Sequence, residues 1–229
     1  MAAKIITVFN QKGGVGKTTT TCQLAGTFGY RGYDVLVADV DPQETTSSWL
    51  SNASADLPFP GTLWTGHKYA EGNLAKELGK LSNKYDLIFV DCAPSVDNAS
   101  TWSSLLVSDM AIIPTKLSPA DTTALPAALE LAKKAMQECG RSYPVRVLAT
   151  AFRKSRADEK MMLEQITTNR RYPEFKVLPV QLGDRVAFTR SMLIGGTAHN
   201  MPKAGEACAE LDMLADEICT LLAIPTQKD

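Results

Sequence analysis

The sequence has little of what metal clusters and disulfide frameworks are built from. It has two histidines in 229 residues, and its five cysteines, at positions 22, 92, 139, 208 and 219, form no C-x-x-C pair and no zinc-ligand spacing. An odd count without such spacing excludes a zinc finger and is explained most simply by reduced thiols. No apolar run approaches the ~20 residues that cross a bilayer. The opening MAAKIITVF lacks a signal-peptide cleavage pattern and runs into a strand. The expectation is a cytoplasmic protein with no membrane attachment. Internal repeats, low-complexity tracts and linkers are also missing, so residues 1–229 are expected to form a single domain, of a size that buries a sizeable core. His67 and His199 stand apart from each other and are expected to be structural.

Charge is nearly balanced at −1, but unevenly placed. Between Arg141 and Lys203 twelve Lys or Arg face five Asp or Glu, an excess of +7, while the tail from Ala204 to Asp229 has one Lys against six acids. A basic segment of this kind either attracts a polyanion through phosphate contacts or is simply a solvated surface.

Short apolar runs alternate with helical patterns, the signature of an α/β fold: a mostly parallel twisted sheet with helices on both faces. Strands are expected over 4–9, 34–39, 86–91, 110–114, 145–152 and 176–180, because ITVF, VLVAD, LIFVD and AIIP fit strands buried on both faces. Helices are expected near 17–30, 43–51, 72–82, 98–107, 121–139, 157–170 and 204–223. The stretch 51–72 contains Pro58, Pro60, Gly61, Gly66 and Gly72 and reads as loop, with one short strand around Thr62 to Trp64.

The first strand leads into Asn10-Gln11-Lys12-Gly13-Gly14-Val15-Gly16-Lys17-Thr18 and then a helix, the context that a phosphate-binding loop requires. Glycines at 13, 14 and 16 let successive backbone N–H groups turn toward an anion at a helix N-terminus. Lys17 supplies a mobile charge for the β and γ phosphates, and Thr18 a hydroxyl for Mg²⁺. Candidate nucleotide contacts therefore run through Gln11, Lys12, Gly13, Gly14, Val15, Gly16, Lys17, Thr18 and Thr19. The usual first glycine of such a loop is Gln11 here, and Lys12 adds a second lysine.

Two acidic strand ends follow. Asp39-Val40-Asp41-Pro42-Gln43 falls where the second strand delivers side chains to the ligand-binding edge of the sheet, and a carboxylate there can serve Mg²⁺-bound or attacking water. The alternative is that these acids form a turn before Pro42. Asp91 ends the run Leu87-Ile88-Phe89-Val90, an arrangement that places an acid near a Mg²⁺ shell. Thr18, Asp41 and Asp91 are thus the candidate metal ligands.

The K-G-G-x-G-K-T loop resembles the deviant Walker A motif of the ParA/MinD superfamily. DxDPQ is similar to that superfamily's switch I, and Asp91-Cys92-Ala93-Pro94-Ser95 to its DxPP, with Ala93 in place of one proline. The segments 108–121 and 185–196 are similar in layout to the short ParA class. The resemblance implies an ATPase using ATP and Mg²⁺ that forms a homodimer on ATP binding. It assigns Lys12 to the partner's nucleotide, Lys17 to its own, Asp41 to hydrolysis and Asp39 to structure. It further implies nonspecific DNA binding, association with the nucleoid when ATP is bound, and a ParB-like centromere-binding or cargo adaptor partner, the role being partition of a plasmid or another large cargo.

By the same resemblance the adenine pocket maps to Phe152 and to Pro179 through Gln181, although a strand-end Phe is also a core residue. Arg185 and Arg190 are candidate DNA contacts; their five-residue spacing puts them on partly different helix faces. Arg153, Lys154 and Arg156 form an alternative DNA surface. Three rivals are weighed. A nitrogenase-like iron protein needs cluster-ligating cysteines, and Cys92 has no CGG context. A MinD-like membrane helix would be basic, whereas 204–222 carries Glu206, Glu210, Asp212, Asp216 and Glu217. A biosynthetic ATP-dependent ligase would need a domain for its small substrate.

Overall fold

The computed structural model describes residues 2–69, 73–95, 99–168 and 176–227. Within them seven strands form one sheet: β1 (Lys4–Val8), β2 (Val35–Asp39), β3 (Thr62–Thr65), β4 (Leu87–Asp91), β5 (Met110–Lys116), β6 (Val145–Thr150) and β7 (Lys176–Val177). Their order is β3-β2-β4-β1-β5-β6-β7, and each pairing is parallel. The helices are α1 (Lys17–Tyr30), α2 (Thr45–Leu50), α3 (Leu74–Leu81), α4 (Ala99–Val107), α5 (Pro119–Thr122), α6 (Leu125–Cys139), α7 (Ala157–Thr167), α8 (Val186–Leu193) and α9 (Gly205–Leu222).

Successive strand side chains point to opposite faces, so each central strand feeds two cores. Ile6, Val8, Val35, Val37, Leu87, Phe89, Met110 and Ile112 pack on one side with α1, α2 and α9. Ile5, Phe9, Leu36, Ala38, Ile88, Val90, Ala111 and Ile113 pack on the other with α3, α4 and α6. That double burial is why these strands read as unbroken apolar runs. The stripe Leu211, Leu214, Ile218 and Leu222 of α9 is buried in the first core, each leucine contributing about 1.5–3 kcal/mol relative to exposure. Its acidic face is met by arginines: Arg31 holds Asp212 and Asp216, and Arg185 holds Glu206 and Glu210. Among the described residues no helix is long and apolar enough to cross a membrane.

Several expected boundaries shift for physical reasons. The single helix expected over 121–139 is two, because Pro126 in the first turn of α6 lacks an N–H and crowds the preceding carbonyls. Strand β5 runs on to Lys116 through Pro114; beyond Ile112 it pairs only with β6, so the missing proline N–H leaves no ladder bond unmade. The strand expected over 176–180 stops at Val177, shortly before Pro179, which has no N–H to pair. Helix α8 lies outside the seven stretches expected to be helical, although the spacing of Arg185 and Arg190 is read on a helix. Expected helical positions 72, 98, 169 and 170 lie outside the described residues.

Candidate functional site

The loop between β1 and α1 runs over the carboxyl edge of the sheet. Gly14 (φ 72°) and Gly16 (φ 92°) are left-handed, a backbone that side chains resist. A Cβ at Gly16 would meet Thr150 at 3.5 Å, an ordinary contact, so it is the left-handed backbone that demands glycine there. Two side chains pin the loop from outside: Thr150 Oγ1 donates to the Val15 carbonyl at 2.7 Å, and Asn10 accepts from the Lys12 N–H at 3.0 Å while donating to the Pro114 carbonyl at 2.7 Å. Lys17 is turned inward, 7% exposed, its Nζ donating to the Lys12 carbonyl at 3.1 Å. Burial lowers its pKa, opposed by the nearby charges of Asp91 and Asp41. Lys12 behaves differently. Its Nζ sits 2.9 Å from Asp121 Oδ1 and its side chain is 35% exposed. Gly13, Gly14 and the flanks Gln11 and Thr19 are open to solvent to differing degrees, whereas Val15 is buried.

Behind the loop lies Asp91, 1% exposed, at the end of β4. Its Oδ2 accepts from Thr18 Oγ1 and from Thr46 Oγ1, both at 2.7 Å. Burial nonetheless pushes its pKa up to about 6, against the help of those two hydroxyls. Asp39 is a structural tie: Oδ2 accepts from the Ser47 N–H at 2.8 Å and hydroxyl at 2.7 Å, and Oδ1 from the Asp41 N–H at 3.2 Å. Asp41 is 8% exposed and accepts the Gln43 N–H at 2.9 Å, a turn-forming bond before Pro42 and Gln43, while its charge reaches Lys17. Thr18, Asp41 and Asp91 are hard-oxygen groups of the kind that Mg²⁺ takes, and both carboxylates lie near enough to act on the charge of Lys17. Cys92 is fully buried, and burial together with Asp91 pushes its thiol up to about 12. It is a protonated core thiol, unsuited to ligating a cluster.

A cleft continues from the loop, lined by Gly14, Gly16, Thr19, Thr150, Ala151, Leu182, Gly183, Asp184 and Phe188 among others. Two expected positions lie outside this lining. Phe152 is not in the lining; it is 7% exposed and packs with Leu117, Ala149, Met162 and Leu163 on the far side of β6. Pro179 through Gln181 are not there either. The Leu182 N–H donates to the Ala149 carbonyl and the Phe152 N–H to the Leu182 carbonyl, both at 3.0 Å, so residues 182–184 are the ones drawn alongside Thr150 and Ala151. Ala151 holds an unusual φ of 50° in this wall. The glycine at 183 was the one available signal for this stretch; nothing in the sequence marks Ala151 or Thr46.

The candidate surface cations divide. Arg185 is engaged by Glu206 and Glu210, Arg153 by the buried Glu159, and Arg156 by Asp158. Arg190 and Lys154 are exposed and have no acidic partner among the described residues. Arg185 precedes α8 and Arg190 lies within it.

The family described as the CobQ/CobB/MinD/ParA nucleotide binding domain matches residues 6–195. Maintenance of carboxysome distribution protein A from Gloeobacter kilaueensis is 29% identical over 217 residues, covering 94% of each chain. Its counterpart from Halothiobacillus neapolitanus is 28% identical, covering 93% of this chain and 95% of its own. Among solved structures, an ATP complex of Cyanothece McdA covers 100% of this chain and 99% of its own with a TM-score of 0.80 at 16% identity. A Borrelia burgdorferi plasmid partition protein bound to AMPPNP covers 94% of this chain and 99% of its own with a TM-score of 0.70 at 23% identity. These last two likenesses establish the fold.

Proposed function

Because the chain belongs to the CobQ/CobB/MinD/ParA nucleotide-binding family, we propose that it is an ATP-driven switch that pairs with a second copy when ATP binds and hydrolyses it to ADP and phosphate. In this reading it occupies nonspecific DNA and the nucleoid as a dimer, is reset by a ParB-like or cargo-adaptor partner, and distributes a large cargo. Full-length relatives named for carboxysome distribution and a fold neighbour named for plasmid partition support a positioning role and give the two cargo classes to compare.

The observation that carries the dimer is the divergence of the two lysines. Lys17 enters its own loop, while Lys12 leaves it toward Asp121 and solvent. A second cation that turns away from the nest that it borders suits a phosphate held by another copy. Thr18, Asp41 and Asp91 are the groups that would hold Mg²⁺, which when bound neutralises charge growing between the β and γ phosphates. The chain's own part is positional. The loop amides and Lys17 hold the phosphate tail, Asp41 orients the attacking water, and the wall from Thr150 to Asp184 seats the base. Of the candidate surface cations, Arg190 and Lys154 have no acidic partner among the described residues and are available to DNA phosphates, whereas Arg153, Arg156 and Arg185 are engaged by carboxylates.

Light scattering of the Lys12→Ala chain with ATP tests this. It should bind ATP within a few-fold of the parent yet stay monomeric and lose turnover, and ATP-induced dimers at the parent's concentration would refute the assignment.

A further inference from the structure

Thr46 belongs to the run TTSSWL and has no role so far, yet it is 0% exposed and buries its hydroxyl against Asp91, itself 1% exposed. Its Oγ1 donates to Asp91 Oδ2 at 2.7 Å, the oxygen that also takes Thr18 Oγ1 at 2.7 Å. The other oxygen, Oδ1, has only the Thr21 hydroxyl at 3.5 Å, too long for a strong bond. Two donors from different helices on one oxygen fix the carboxylate plane and leave the opposite oxygen with accepting capacity.

The two donors are not equivalent. Thr18 sits on the phosphate loop and is itself a candidate metal ligand. Thr46 is anchored independently. Its neighbour Ser47 is tied to Asp39 by both N–H and hydroxyl, at 2.8 and 2.7 Å. Three residues on, the Trp49 indole N–H donates to the Gly196 carbonyl at 3.0 Å, and the Asn52 amide to the Met192 carbonyl at 3.0 Å. Helix α2 is therefore held at both ends, and Thr46 has little freedom to drift from β4.

Resting on the nucleotide reading above, we propose that Thr46 is a positioning residue that aims Asp91 at the divalent cation. Groups that orient a ligand from behind carry about 10–100-fold of metal affinity when removed. A purely structural hydroxyl would instead affect folding alike with and without metal.

The test is a titration of Mg²⁺ into each chain with a fluorescent ATP analogue, following bound nucleotide at equilibrium rather than turnover. Thr46→Val should need about tenfold more Mg²⁺ for half-saturation, with binding in EDTA within twofold of the parent. Thr46→Ser, which keeps the hydroxyl, should return to the parent value. Thr46→Ala replaces the valine chain if that fails to fold, with the same expectation. Half-saturation unchanged in Thr46→Val, or equally weakened in Thr46→Ser, overturns the proposal while leaving the nucleotide site standing. Parent protein that binds nucleotide indifferently to Mg²⁺ overturns both.

Discussion

The two ends of the cleft are built on opposite plans. At the phosphate end the cost is electrostatic: a carboxylate and a lysine are buried together, and Asp91 is 1% exposed with its pKa pushed up to about 6. At the other end, which we propose seats the base, the wall is Thr150, Ala151, Leu182 and Gly183, and the unusual feature is backbone, the φ of 50° at Ala151. One end stores charge and the other stores strain, and both are kinds of stress that folded chains concentrate at working sites. The difference teaches why the first end declares itself in the sequence. Holding phosphates demands glycine, lysine and threonine at set places, whereas a base can be seated by main chain of almost any composition.

The widest test of that division is Phe152→Ala. If Phe152 is core and not base wall, the chain should lose about 3–4 kcal/mol of stability in urea unfolding while keeping its ATP affinity within about twofold. Affinity falling in step with stability would move the boundary of the base end. Next comes the stored charge. A carboxyl whose folded pKa lies above its unfolded value of 3.8 binds the extra proton in the native state. Its contribution is therefore fully present below pH 3.8 and is lost as pH rises through about 6. By neutral pH the buried carboxylate costs roughly 3 kcal/mol, so metal-free Asp91→Asn should gain stability over the parent at pH 7.5 and little at pH 4.5. Equal gains at both values would place the cost elsewhere. The smallest effect is Ala151→Gly, which relaxes the left-handed residue and should add about 0.5–1 kcal/mol after the entropy that glycine loses on folding; thermal unfolding reads it, and a lowered melting point would show that the strain is not there.

Much of the frame was legible. Strands β1, β2 and β4 announced themselves because burial on both faces keeps them mostly apolar, broken chiefly by Thr7 and the terminal Asp39 and Asp91, and the loop from Gln11 to Thr18 because its glycines precede a helix. The split between α5 and α6 was written at Pro126 but masked by apolar spacing that continues past it. Helix α8 begins on Val186, Ala187 and Phe188, of which only Ala187 favours a helix, and Phe188 joins a core shared with residues far along the chain. Phe152 is ambiguous in sequence because an aromatic at a strand end suits a base and a core equally; in the fold it packs against α7. Thr46 was silent for another reason: its partner lies 45 residues away on β4, and no local pattern reports such a meeting.

The central place of β1 sets the order in which the chain can become competent. Its neighbours are β4, beginning at Leu87, and β5, beginning at Met110, so β1 waits for residues far behind it. Pairings of such long sequence separation form slowly, since loop closure must precede the contacts that reward it. The cleft closes later still, when residues 182–184 join Thr150 and Ala151. A nascent chain thus exposes the whole phosphate loop long before it has a pocket. Its nucleotide acts on completed molecules alone, drawing the last folding step forward by mass action.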